Sequence, residues 1–87
     1  MSFACPCCGY LTFDEEPPGT FEICPVCNWE DDEVQFRDPS YEGGANKVSL
    51  DQARKNFLSF GAIDNESISF VRKALSEEAP RSHVKKK

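Results

Sequence analysis

The sequence predicts a small α+β domain, in which a cysteine-bearing β-hairpin and a third strand are followed by one or two helices. Three observations carry that expectation. All five cysteines fall in the first 27 residues, in two stretches of matched layout. The chain between those stretches has strand formers on either side of a Pro-Pro-Gly turn. A clear amphipathic helical pattern then starts at Ser49 and stops at Gly61.

At 87 residues, the chain is close to the size at which burial of apolar surface barely offsets backbone entropy, so a covalent or metal staple is expected. The first 36 residues need it most. They hold all the cysteines, four prolines and eight acidic residues, with no Lys or Arg. No basic region leads into an apolar run at the start, and no stretch could span a bilayer. The expected compartment is therefore a reducing cytoplasm, where an odd number of closely spaced cysteines reads as metal ligands rather than disulfides.

The two cysteine stretches align position by position, Cys5-Pro6-Cys7-Cys8-Gly9-Tyr10 against Cys24-Pro25-Val26-Cys27-Asn28-Trp29. The shared pattern is Cys-Pro-x-Cys, then a residue tolerant of left-handed backbone, then an aromatic. Each part has a physical purpose in a metal knuckle. Two thiolates converge from a tight turn, Pro pre-sets that turn, Gly or Asn turns the chain away, and the aromatic shields the sulfurs from water. The overall spacing, C-x2-C-x15-C-x2-C, is that of a tetrahedral four-thiolate zinc site. Cys5, Cys8, Cys24 and Cys27 are thus the metal ligands and Zn2+ the expected ion, on a zinc-ribbon (rubredoxin-like) scaffold. Iron can occupy the same four sulfurs. Cys7 aligns with Val26, which makes it a small semi-buried filler or, alternatively, a spare reactive thiol. A thioredoxin-like dithiol at Cys24 and Cys27 lacks the βαβ surroundings that chemistry needs.

Taken in order, Tyr10 to Phe13 and Thr20 to Ile23 are the strands of the hairpin, joined through Pro17, Pro18 and Gly19. Trp29, Val34 and Phe36 read as inward residues, with a third strand within 32–37 that Asp38-Pro39 ends. "SYEGGANK" is a loop by composition, passing close to the ribbon, with Asn46 able to bond backbone there. It superficially resembles a phosphate-binding loop but lacks the glycine spacing and the parallel strand. Ser49 caps the first helix and Gln52 completes a capping box. Leu50, Ala53, Phe57 and Phe60 form its apolar face. Arg54, at the edge of that face, is placed to pair with an acid between Glu30 and Glu33. A weaker helical pattern covers about Ser67 to Glu78, and Pro80 ends it. Residues 1–80 are expected to form one domain and residues 81–87 a disordered basic tail.

The motifs "CPCCGY", "CPVCNWEDD" and "GGANKVSLDQARKNF", spanning about residues 5 to 57, resemble the bacterial cysteine-rich CPCC domain family. The resemblance implies a zinc-ribbon-like fold in a small stand-alone protein. It also implies, for some members, a place beside polymorphic toxin genes in the manner of immunity proteins. In residues 62–87 no matching motif is recognised.

Charge narrows the function classes further. Residues 1–80 hold fifteen acidic side chains and six basic ones, a balance of −9, whereas the tail "RSHVKKK" is strongly basic. Such a body repels nucleic-acid backbones and favours a basic protein partner. The stretch Trp29, Glu30, Asp31, Asp32 and Glu33 directly follows the second knuckle and is the candidate contact surface. Asp31 and Asp32 have no histidine to complete a catalytic metal site, since His83 lies in the tail. No catalytic group is assigned. The expected function is a non-enzymatic zinc-binding module that presents acids to a basic protein, such as a nuclease-type toxin it would neutralise. The alternative is thiol redox or metal handling through Cys7.

Overall fold

The computed structural model describes residues 2–80. Its regular elements are two short strands, β1 (Phe3–Ala4) and β2 (Leu11–Phe13), and two helices, α1 (Glu33–Arg37) and α2 (Leu50–Phe60), followed by 3-10 turns at Asn65–Phe70 and Ser76–Glu78. The basic tail expected at 81–87 lies outside the described residues.

The strand pairing differs from the expected hairpin. β2 pairs antiparallel with β1, Phe3 opposite Phe13 and Ala4 opposite Leu11, and Ile23 bridges Glu30 rather than the Tyr10–Phe13 segment. Each knuckle therefore closes its own hairpin. The reason is local. Gly9 at φ +82° and Asn28 at φ +75° turn the chain back directly after the second cysteine of each pair. The flanking residues then pair at once, with far less loop entropy than closing the fifteen residues between the knuckles. Glu22 links the two hairpins instead, its carboxylate accepting from the Asp14 and Glu15 amides at 3.0 and 2.9 Å.

The sheet is two-stranded, not three-stranded, because Glu33–Arg37 is helical. Asp32 caps α1 by accepting from the Gln35 amide at 3.1 Å, and Glu33 in the first turn pairs with Arg37 in the last. Acids at the cap and first turn favour a helix start over a strand. The inward residue changes accordingly. Gln35 is fully buried, whereas Val34 and Phe36 are exposed. The Gln35 amide donates to the carbonyls of Tyr41 and Val48 and accepts from Asn46, so one side chain satisfies the backbone of the following loop. Gly44 lies against it, where a Cβ would come within 2.6 Å of the Gln35 side chain.

Asn46 does bond backbone of the second hairpin, as its position in the loop suggests. It accepts from the Glu30 amide and donates to the Glu30 carbonyl, both at 2.8 Å, in place of a neighbouring strand. α2 begins and ends as the sequence indicates. Ser49 accepts from the Gln52 amide, and Gly61, at φ +86°, donates to the Phe57 carbonyl. The capping box is only half formed, since the Gln52 side chain turns outward to Asn56. Burial declines along the helix: Leu50 and Ala53 are covered, Phe57 is half-buried, and Phe60 is exposed. Arg54 does not reach the acids. Its Nε donates to the Pro6 carbonyl at 3.0 Å, seating the helix on the first knuckle.

The second helix expected over 67–78 is absent. Only the two 3-10 turns form there; between them the Arg72 amide donates to the Pro25 carbonyl, and just upstream Ile63 donates likewise to Cys27, which ties this segment to the second knuckle. Asn28 adds a bond to the Ser67 hydroxyl. Arg72 and Glu78 then form a two-pronged ion pair, at 2.9 and 2.8 Å. The resulting core joins Phe13, Trp29, Leu50, Ala53 and Ile63 directly to the buried cysteines.

Candidate metal centre

The two knuckles are near copies in geometry as well as in sequence. In the first, Cys5 N donates to the Tyr10 carbonyl at 2.9 Å and Gly9 N to the Cys5 carbonyl at 2.8 Å; in the second, Cys24 N donates to Trp29 at 2.9 Å and Asn28 N to Cys24 at 2.8 Å. These bonds aim both thiols of each turn at the same point. The sulfurs of Cys5, Cys8, Cys24 and Cys27 all lie within 4.8 Å of one another. Across the knuckles, Cys5 and Cys27 approach to 3.6 Å, and Cys8 and Cys24 to 3.7 Å.

Those separations suit a metal ion. Four sulfurs about 2.3 Å from a tetrahedral centre stand about 3.8 Å apart. All five cysteines are unpaired. A donor set of four soft thiolates selects zinc or iron over hard cations such as Mg2+ or Ca2+. Cys5, Cys24 and Cys27 are buried, and Cys8 alone is half-buried. One hydroxyl supports the cluster from outside: Thr12 Oγ1 donates to Cys24 Sγ at 3.1 Å.

Crowding four thiols together also sets their acidity. Hydrogen bonds donated by Cys27, Cys5 and Cys8, with Thr12 adding another, hold the Cys24 thiol far below the ordinary range. Bonding to that same Cys24 sulfur, together with burial, pushes Cys5, Cys8 and Cys27 upward. Crowding thus opposes ionising all four thiols together, a cost that a bound divalent cation would offset.

Cys7 is buried, as is its counterpart Val26, and both pack into the same core. The acidic stretch is divided among several tasks. Trp29 and Asp31 are fully buried. Asp31 Oδ2 accepts from the amide and hydroxyl of Thr20 at 2.9 and 2.8 Å, which ties the loop between the hairpins to the second knuckle. Asp32 caps α1 and also accepts from the Ala45 amide. Glu33 is exposed and paired with Arg37. Glu30 is half-buried, bordering a hollow of about 230 Å³ that Ile23, Asp64, Glu66 and Phe70 help to line.

Sequence reasoning missed Thr12, Gln35 and the lacing of residues 63–72 onto the second knuckle. Thr12 is an ordinary strand residue by type, and its neighbour 12 positions along the chain becomes apparent only in three dimensions. The acids ahead of Gln35 were the available sign of a helix start there.

Among the described residues, no helix is long and apolar enough to cross a membrane. No curated protein matches the chain. A family model does, described as "Cysteine-rich CPCC" and matching residues 3–78, which takes in both knuckles, both helices and the C-terminal turns. With four cysteines positioned to bind a metal ion inside that span, the chain belongs to the cysteine-rich CPCC family.

Proposed function

We propose that the four cysteines hold one structural zinc ion and that the protein acts as a non-enzymatic acidic module for binding a basic protein. The observation that carries this reading is the convergence of four sulfurs from two matched turns, three of them buried. Four protein ligands fill a tetrahedral site and leave no position for a substrate or an activated water, as in structural rather than catalytic zinc sites. Zinc would supply the positive charge that lets all four sulfurs be thiolates. In such a fold, Cys5 and Cys8 anchor one hairpin and Cys24 and Cys27 the other. Iron is the rival occupant.

The partner reading rests on charge. The acids concentrate around the ribbon, where no basic side chain precedes Arg37. A basic nuclease-type toxin, whose site is built for phosphates, is the kind of partner such a surface suits, in the manner of an immunity protein. The test pairs metal analysis with binding. Purified protein should carry one zinc per chain and associate with a basic toxin encoded beside it, more weakly as salt rises. Absence of bound metal, or no association at low salt, would overturn the corresponding half.

A thiol redox or metal-handling role for Cys7 is the competing reading. Its burial beside Cys27 favours a packing role, as Val26 has in the other knuckle. If Cys7→Val leaves metal content, thiol reactivity and phenotype unchanged, the redox role is excluded.

A further inference from the structure

The loop between the hairpins holds an aromatic side chain out of the core on a backbone conformation that aromatics avoid. Phe21 has φ +62° and is 68% exposed. For a bulky residue this is a genuine outlier, and such strain persists only where surrounding bonds enforce it. Those bonds are present. Phe21 N donates to the Asp31 carbonyl at 3.1 Å, and Asp31 N donates to the Glu22 carbonyl at 2.9 Å. Thr20, on the other side, is fastened by its amide and hydroxyl to the buried Asp31 carboxylate. Asp31 thus sets the loop that projects Phe21.

The core makes no use of the ring, since Phe21 is neither part of the buried cluster nor packed against it. Its neighbours along the chain are apolar and acidic. Ile23, two residues on, is 57% exposed, and the hollow it borders is edged by Glu30, Asp64 and the exposed Phe70, with Glu66 paired there to Lys47. Asp14, Glu15 and Glu16 are exposed on the same loop, and no basic residue occurs before Arg37.

We infer that Phe21 is the anchor of a docking surface, inserting into an apolar cavity rimmed by Lys or Arg on a partner protein. This rests on the acidic-module reading and gives it a contact residue. A pre-organised aromatic loses little freedom on binding, and aromatics of this kind carry a large share of interface energy. The surrounding carboxylates steer and orient a basic partner. Within the acidic stretch Asp31 then shapes the loop from inside, and the contact is made by Phe21.

The test uses a property of the strained position. Glycine and asparagine both tolerate φ near +60°, so Phe21→Gly and Phe21→Asn keep the fold while removing the ring. A phage-displayed random-peptide library is selected on metal-loaded wild-type protein, and the consensus peptide is synthesised. The expected consensus combines Lys or Arg with large apolar residues. Its affinity should fall about tenfold or more with either variant and weaken with added sodium chloride, while both variants melt at or above the wild-type temperature. If a basic consensus peptide binds the variants as tightly as wild type, the role of Phe21 is overturned and the acidic module stands. If no basic peptides are enriched, both fall.

Discussion

Gln35 shows how much one buried polar side chain can organise. Its amide serves Tyr41, Asn46 and Val48 together, and the close fit of Gly44 leaves no space for a methyl group. Gly44→Ala should therefore displace Gln35 and destabilise the fold by about 1 to 3 kcal/mol, as overpacking does, measurable by denaturant unfolding of the metal-loaded protein. Thr12 is the counterpart at the metal centre. Thr12→Val removes the hydroxyl that donates to Cys24, so zinc affinity measured by chelator competition should fall severalfold, with Thr12→Ser restoring most of it. Position by position, the sequence made the cluster of four cysteines plain, because matched turn chemistry on both sides of a fixed spacing has few other uses. It could not reveal Thr12 or Gln35, because their roles depend on which backbone happens to pass beside them.

Local rules explain the elements with uneven success. α2 was legible from Ser49 to Gly61 because cap, period and stop agree, and Ser49→Ala should cost about 1 kcal/mol by thermal or denaturant melts. α1 looks like a strand in sequence because five residues are too few for a helical period to stand out from alternation. Its acidic start was the better guide. The Asp32 carboxyl, despite the opposing cost of its partial burial, is held below its ordinary value by amides of Ala45, Gln35 and Val34. A lowered carboxylate stabilises the fold above its ordinary pKa and loses that contribution as pH falls through the lowered one. Acid unfolding of the metal-loaded protein should therefore include an Asp32 component that Asp32→Asn removes. The missing second helix has a tertiary cause. The amides of Ile63 and Arg72 are committed to Cys27 and Pro25, a non-local arrangement that periodicity does not encode.

Across the whole molecule, the buried cysteines are part of the hydrophobic core rather than an appendage to it. The metal centre and the packing of α2 should therefore stand or fall together. The neighbouring Cys24 sulfur and burial push the Cys5, Cys8 and Cys27 thiols upward, so a metal that takes them as thiolates should release protons on binding. Affinity should rise with pH, and calorimetry in buffers of different ionisation enthalpy should register the released protons. That a small fold with a sheet and helices gathers around four cysteines was legible, because two matched Cys-Pro-x-Cys turns flank a stretch of strand formers; the number of strands was not. The pairing of each hairpin with itself was not, since spacing fixes where ligands sit in the chain and says little about which strands flank them. Binding of a structural zinc can contribute about 10 to 16 kcal/mol, comparable to the whole net stability of an ordinary domain. The most direct test is an amide NMR spectrum of the same sample with one equivalent of zinc and after its removal by chelator. The account predicts dispersed signals for residues 3–31 with the ion and their collapse without it; a fully dispersed, unchanged spectrum after metal removal would contradict it.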